Sequence, residues 1–340
     1  MNIGLLGYGG WGKIHAASIA ALKTHRLTAI ACRTEESADQ ARKDHPEASV
    51  TTDMDSVIRM PELDAIDIVL PTSLHVPAAV KALEAGKHVL LEKPMAGSLS
   101  ECDRLIAAEK AAMRKGGGIL SLVHEMRSSA QWSSIKDLVS DGKIGALRYA
   151  MLNLFRFPYR GGSGGWRYKP EAVGSWVLEE PIHFIDLLLW YFESHGNPVA
   201  VTAWAAFSAE GMTRDFSAVF EFPGGAYGVI SQTLSGFEHH QVVEVAGESG
   251  AVRSLWSGAM DRTDKPVFSV TAQTKGETAP KNIPIEGPSG ELFEIREYLN
   301  AAFNAMTEGR ALYPADKERE LVRLCLEAER SARLGLRIEL

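Results

Sequence analysis

Two stretches hold side chains whose types and spacing suit acid–base chemistry. In "VLEEPIHFIDLLLWYF", Glu179 and His183 stand four residues apart at the mouth of a strongly hydrophobic segment. An imidazole titrates near neutral pH and suits a general base. A carboxylate about one helical turn away can orient that ring and stabilise its cation. Asp186, three residues beyond His183, is a third candidate, better suited to a structural or orienting hydrogen bond. Pro181 is compatible with a helix that begins within a residue or two of it. In "LLEKPMAG", Glu92, Lys93 and Pro94 follow an apolar run, which puts Lys93 at the end of a strand. Taken singly, a histidine in an apolar segment is a core residue; the coupling to Lys93 and to a nucleotide motif turns the reading towards function.

The elements that must position these groups fall into two rhythms. Residues 1–124 alternate short apolar strands ("NIGLL", "RLTAIACR", "AIDIVL", "KHVLLE") with helices such as "GKIHAASIAALKTH". Continuous apolar strands alternating with helices predict a parallel sheet covered on both faces. "GYGGWG" sets Gly7, Gly9 and Gly12 in a G-x-G-x-x-G pattern, with Gly10 and Trp11 between them, after a strand and before a helix. There the first glycine makes the turn, the second admits a pyrophosphate, and the third lets helix and strand pack closely. The helix N-terminus then faces the phosphates. In open sheets of this kind, ligands sit at the carboxyl ends of strands. That places Pro71, Thr72, Glu92 and Lys93 beside the dinucleotide, with His75 either lining it or starting a helix.

Residues 125–340 read as an α+β domain with an open, mostly antiparallel sheet and helices on one face. In "DFSAVFEF", Phe216, Ala218, Phe220 and Phe222 point one way, and "PGG" then turns into a hairpin partner. The last helix, "DKERELVRLCLEAERSARL", stops at Gly335. "RFPYRGGSGGWRYKP" gathers Arg156, Arg160, Arg167 and Lys169 around Tyr159, Trp166 and Tyr168, and reads as a mobile loop beside a site. Its aromatics can stack on a sugar ring and its arginines can hold a carboxylate or phosphate; Arg127 has the same standing, and a solvated surface is the competing reading for each.

Composition bounds the function. With 340 residues, 45% apolar and 23% charged, the chain is of globular type and long enough for two cores. A net charge of −7 without a Lys/Arg block argues against nucleic acid, and no apolar stretch reaches membrane-spanning length. Cys32, Cys102 and Cys325 are too scattered for a disulfide framework or a zinc site, and no leader precedes the first strand, which reads as a reduced, cytoplasmic protein. His239 and His240 are adjacent and face opposite sides of a strand, so no metal is expected.

The glycine motif, Glu92-Lys93-Pro94 about eighty residues later, and an acid four residues before a histidine together resemble the Gfo/Idh/MocA oxidoreductases, over nearly the whole chain. The resemblance implies that Lys93 and His183 surround the carbon that exchanges hydride with nicotinamide. The family's usual aspartate is Glu179 here, and its small residue two before the histidine is Pro181. Oxidising a secondary alcohol needs a base for the hydroxyl proton while hydride leaves. Near a cationic ring and out of bulk water, a lysine gives up its proton more readily. The expected substrate is a sugar, polyol or similar cyclic alcohol, contacted by Lys93, Arg127, Arg156, Trp166, Arg167, Glu179 and His183. A glycoside hydrolase that uses nicotinamide transiently and a dinucleotide-sensing regulator are the competing functions.

Where an NAD site usually carries an acid, the second strand ends Cys32-Arg33-Thr34. Arg33 can pair with a 2′-phosphate and favours NADP; NAD remains possible if Arg33 only stacks on adenine or Glu35 takes the acid's part. Trp204, Phe207 and Trp256 suggest an apolar sheet face that pairs two copies, as in family members, giving a homodimer or homotetramer.

Overall fold

The computed structural model describes residues 1–157, 161–236, 238–259 and 262–340. The chain forms two compact units, and neither is one continuous stretch. The first takes Met1–His124, Gly161–Gly174 and Ile295–Val322; the second takes Glu125–Arg160, Ser175–Glu294 and Arg323–Leu340.

In the first unit the strands are β1 (Asn2–Leu6), β2 (Arg26–Ala31), β3 (Ser49–Thr51), β4 (Ala65–Ile68), β5 (His88–Leu91) and β6 (Leu120–Leu122). They form one parallel sheet in the order β3-β2-β1-β4-β5-β6. The helices between them are α1 (Gly10–Ala20), α2 (Glu35–Asp44), α3 (Met54–Ile58), α4 (His75–Glu84) and α5 (Leu99–Arg114). The strand order reverses between β1 and β4, the switch point at which dinucleotides bind in such sheets. Helix α5 starts where Ser98 accepts a hydrogen bond from the Glu101 backbone amide. One core cluster joins Ile3, Leu5, Ile19 and Ile30 to Ile295, Leu299, Phe303 and Met306. Those last four line one stripe of α9 (Glu291–Thr307) at helical spacing, which ties a late segment of sequence to the first sheet. Tyr298 on the same helix donates to the Leu122 carbonyl at 2.5 Å.

The second unit is built on a nine-stranded sheet. Its strands are β7 (Leu147–Phe155), β8 (Ala200–Phe207), β9 (Thr213–Glu221), β10 (Tyr227–Thr233), β11 (His239–Gly247), β12 (Gly250–Gly258), β13 (Val267–Thr274), β14 (Lys281–Asn282) and β15 (Ile338–Glu339). The order is β14-β13-β12-β11-β7-β10-β9-β8-β15, and β7 with β10 is the parallel pair in an otherwise antiparallel sheet. Helices α6 (Ala130–Ser140) and α8 (Pro181–Tyr191) pack on one face, α8 across β7 and β10. α8 lies so close that a Cβ at Gly228 would meet Leu188 Cδ1 at 2.3 Å. The short α7 (Pro170–Val173) belongs to the first unit, and α10 (Ala315–Leu334) contributes its residues up to Val322 there.

Paired positions trace a row across the other face: Trp204, Ser217, Ser231, Asn153, Val242, Leu255 and Ser269. This corrects two of the residues expected on it. Trp256 alternates onto the helix-covered side, where it is 3% exposed and donates to the Ser289 carbonyl. Phe207 is covered by the Arg333 guanidinium, 4.4 Å from its ring centre. The terminal strand β15 was also not foreseen, because two residues carry no readable period. Among the described residues no helix is long and apolar enough to cross a membrane.

Candidate active site

The glycine turn has the shape a pyrophosphate needs. Gly7 has φ +103°, and a Cβ there would lie 2.2 Å from the Val69 carbonyl oxygen. A Cβ at Gly12 would lie 2.0 Å from the Gly7 carbonyl oxygen, so helix and turn touch backbone to backbone. At Gly9, by contrast, a Cβ would meet nothing within 4 Å. Helix α1 opens from Gly9 with no side-chain cap and no acid in its first turn, which leaves its N–H donors for an anion. A dinucleotide fits these residues: Gly9, Gly10 and Trp11 would hold its phosphates by backbone donors.

Lys93 follows β5 in a turn otherwise buried from Leu91 to Ala96. The Glu92 carboxylate accepts from the Trp11 indole N–H at 2.8 Å and from the Lys93 backbone N–H at 3.2 Å. It also lies 3.1 Å from Nε2 of His15, whose Nδ1 is 2.8 Å from Asp67. His15 is fully buried. Burial alone would push its pKa down, but Asp67 and Glu92 reverse this and raise it to about 10. Each nitrogen of the ring thus faces a carboxylate, and burial in turn pushes Asp67 up against the pull of His15. One oxygen of Asp67 is buried without a hydrogen-bond partner. His15 and Asp67 were not among the sequence candidates, although an acid inside the buried strand "AIDIV" was a signal, since such a charge demands a partner.

His75 begins α4 and is 1% exposed, with Nδ1 2.7 Å from the Pro94 carbonyl and Nε2 2.7 Å from the Leu70 carbonyl. Pro71 and Thr72 come just before it, Pro71 as the cap of a 3₁₀ turn that runs Thr72–Leu74. At the end of β2, Thr34 caps α2: its hydroxyl accepts from the Ser37 backbone N–H at 3.3 Å, so one acceptor site is already used. Arg33 beside it is exposed, whereas Glu35 accepts from the Thr52 hydroxyl and pairs with Arg42. Trp166 and Arg167 also belong to this unit, with the guanidinium 5.7 Å from the indole ring centre. Tyr159 and Arg160 lie outside the described residues.

In the second unit, Glu179 and His183 do not share one helical turn. Glu179 ends a 3₁₀ turn over Trp176–Leu178, Glu180 breaks the helical path at φ −129°, and α8 starts at Pro181. The break falls at the residue before the proline, which takes the first helical position, where its missing N–H leaves no helical bond unmade. Both side chains are buried. An acid missed in the sequence lies near the imidazole: Glu125 Oε1 is 3.8 Å from His183 Nε2. Asp186 takes the structural part expected of it, gripping Arg127 through two hydrogen bonds of 2.8 and 2.7 Å. Arg156 is 5% exposed and pairs with Glu180 at 2.6 Å. His239 and His240 face opposite sides of β11, against Trp256 and Phe155 respectively. Among the described residues no group of three or more His, Cys, Asp or Glu could hold a metal ion.

A 3-2-1-4-5-6 parallel sheet with an open glycine turn at its switch point, followed in the chain by a mixed-sheet unit, defines a dinucleotide-binding protein. Comparison with known proteins agrees. The model of the oxidoreductase family with an NAD-binding Rossmann fold, Gfo/Idh/MocA, matches residues 1–115, and that of the Gfo/Idh/MocA C-terminal domain matches residues 132–253. The chain belongs to the Gfo/Idh/MocA family and is an NAD(P)-binding oxidoreductase of it. It is 29% identical over 215 residues to scyllo-inositol 2-dehydrogenase (NADP(+)) of Bacillus subtilis, spanning 60% of this chain and 54%, about half, of that relative. It is 26% identical over 312 residues to 1,5-anhydro-D-fructose reductase of Ensifer adhaerens, 88% of each chain. Its fold matches aldose-aldose oxidoreductase from Caulobacter crescentus, complexed with glycerol, with TM-score 0.84 at 22% identity, covering 100% of this chain and 99% of that one.

Proposed function

We propose that this oxidoreductase moves a hydride between NADP(H) and a secondary alcohol or ketone carbon of a sugar, polyol or related cyclic substrate. One observation carries the reading most: the Glu92 carboxylate holds the glycine turn, through Trp11, and the Lys93 backbone together. A dinucleotide loop and a strand-end lysine joined in this way make sense in an enzyme that acts on a substrate beside the nicotinamide. The cofactor takes or gives the hydride, and the side chains handle the proton. Lys93 hydrogen-bonds the substrate oxygen, His183 takes or returns its proton, and Glu179 supports them. Arg127, Arg156, Trp166 and Arg167 contact substrate or support the groups that do. The names of the relatives, with an inositol and an anhydrofructose among their substrates, support the class of alcohol.

A screen of myo-inositol, scyllo-inositol, 1,5-anhydro-D-fructose and common aldoses, with NAD(H) and NADP(H), tests this at the absorbance of reduced nicotinamide. Net cofactor turnover is expected. Cleavage of a glycoside with no net change in cofactor would replace the reading by a hydrolytic one. For the cofactor, the exposed Arg33 supports NADP(H). Arg33→Asp is expected to weaken NADPH binding and spare NADH; a wild type several-fold tighter for NADH, with the variant unchanged, removes the preference. We also assign the open face of the second sheet to pairing of two copies, and the protein to the cytoplasm.

A further inference from the structure

Lys93 is the half-exposed residue in a turn whose neighbours are buried, and each of three neighbours is held by a different buried side chain. Before it, Glu92 is fixed by Trp11 and by the His15–Asp67 pair, and accepts a hydrogen bond from the Lys93 amide. After it, the Pro94 carbonyl meets His75 at 2.7 Å. A carbonyl faces each nitrogen of that ring, and carbonyls only accept, so the ring acts towards this turn as a donor. Next, the Met95 N–H donates to Glu318 Oε1 at 3.1 Å, and Glu318 Oε2 is 2.6 Å from Nε2 of His124. Glu318 is fully buried, and His124 lies against the Tyr313 ring at 4.2 Å between centres. All these residues belong to the first unit. Burying three imidazoles and three carboxylates around one tight turn is costly unless the geometry they enforce matters.

We propose that Glu92 with His15, His75, and Glu318 with His124 are positioning residues, which lock the backbone on both sides of Lys93 and so aim its amine. The inference rests on the reading that Lys93 acts on the substrate. Misplacing a reacting group by about 1 Å costs on the order of 100-fold in rate. The device is more than a fold-stabilising network because its bonds end on residues 92, 94 and 95, which flank the lysine, while Lys93 keeps its side chain half-exposed.

The test uses the full chain with the best alcohol of the screen above, and NADPH as the binding probe, followed by its fluorescence. Glu318→Ala is expected to lower kcat about 10- to 100-fold while the NADPH Kd stays within about twofold. Glu318→Gln, which keeps an acceptor for the Met95 amide, is expected to recover most of that loss. The double variant Glu318→Ala/Lys93→Met should lose no more than Lys93→Met alone, because the carboxylate acts through the lysine. Without substrate, reductive methylation read by peptide mass spectrometry should change in rate at Lys93 and not at the exposed Lys43 and Lys110. Should Glu318→Ala fold poorly, His124→Gln loosens the grip on Glu318 without touching the nucleotide turn and is read in the same way. A wild-type kcat and Lys93 labelling rate in these variants overturns the positioning role, as does a double variant that loses the product of the two single effects. Wild-type turnover in Lys93→Met overturns instead the catalytic reading of the lysine.

Discussion

At the scale of single residues, Lys93 and His183 carry the proposed proton transfer. Lys93→Met keeps the stem and removes the charge and the donor, so cofactor should still bind while turnover falls about 10²–10⁴-fold. His183→Ala should fall comparably, and the two changes together by less than their product. Glu179→Gln should cost less than either. Single-turnover hydride transfer measures all four, and near-wild-type rates in both Lys93→Met and His183→Ala would reduce this constellation to a helix entrance. Glu294 offers a test of a different kind. It is fully buried, accepts from the Gly290 amide and the Ser289 hydroxyl, and burial raises its pKa to about 7. A carboxyl raised in the folded state stabilises the fold below its unfolded pKa, and that contribution is lost as pH rises through about 7. Glu294→Gln keeps the acceptor and cannot ionise. Its melting temperature should therefore exceed that of wild type at pH 8 and match it near pH 4.5; a gain of equal size at both would exclude titration of Glu294 as the cause.

Elements show why small residues sit where they do. Gly228 on β10 lies under Leu188 of α8, the helix that carries His183 at its start. Adding a methyl group there forces helix from sheet, and overpacking of this kind costs about 1–3 kcal/mol. Gly228→Ala should lower stability by about that amount in denaturant titrations. Leu188→Ala in the same chain should relieve part of the loss, so that the double variant is more stable than the sum of the single effects implies. Strict additivity would show that the strand and helix are not coupled at this point. Gly7 and Gly12 of the nucleotide turn obey the same logic, with backbone carbonyls in place of leucine, so no flexible neighbour can give way.

For the whole molecule, the open face of the second sheet presents Trp204 at 60%, Leu255 at 42%, Val267 at 72% and Tyr227 at 42% exposure, all on one side. An apolar face of this extent is characteristic of an interface. Sedimentation at micromolar concentration should give a dimer or a dimer of dimers, and Trp204→Glu should shift it towards monomer. A wild-type monomer under those conditions removes the assignment.

Local chemistry determined much of this protein from sequence alone. Apolar strand runs separated by helical periods are short-range patterns, and so the parallel nucleotide-binding sheet, the glycine turn and the stop at Gly335 were all legible. The alternation in "DFSAVFEF" likewise assigned its buried face. Tertiary structure alone decided which distant groups meet. His15, Asp67 and Glu92 come from α1, β4 and the turn after β5, and no sequence period relates them; the sheet order sets β4 between β1, which leads into α1, and β5. Glu318 reaches Met95 across 223 positions because α9 and the start of α10 pack into the first unit. Glu125 approaches His183 because its short 3₁₀ turn packs against α8. Hydrophobic pattern is encoded in neighbours along the chain, whereas hydrogen-bond partners of buried charges are chosen by the pairing of strands and the packing of helices.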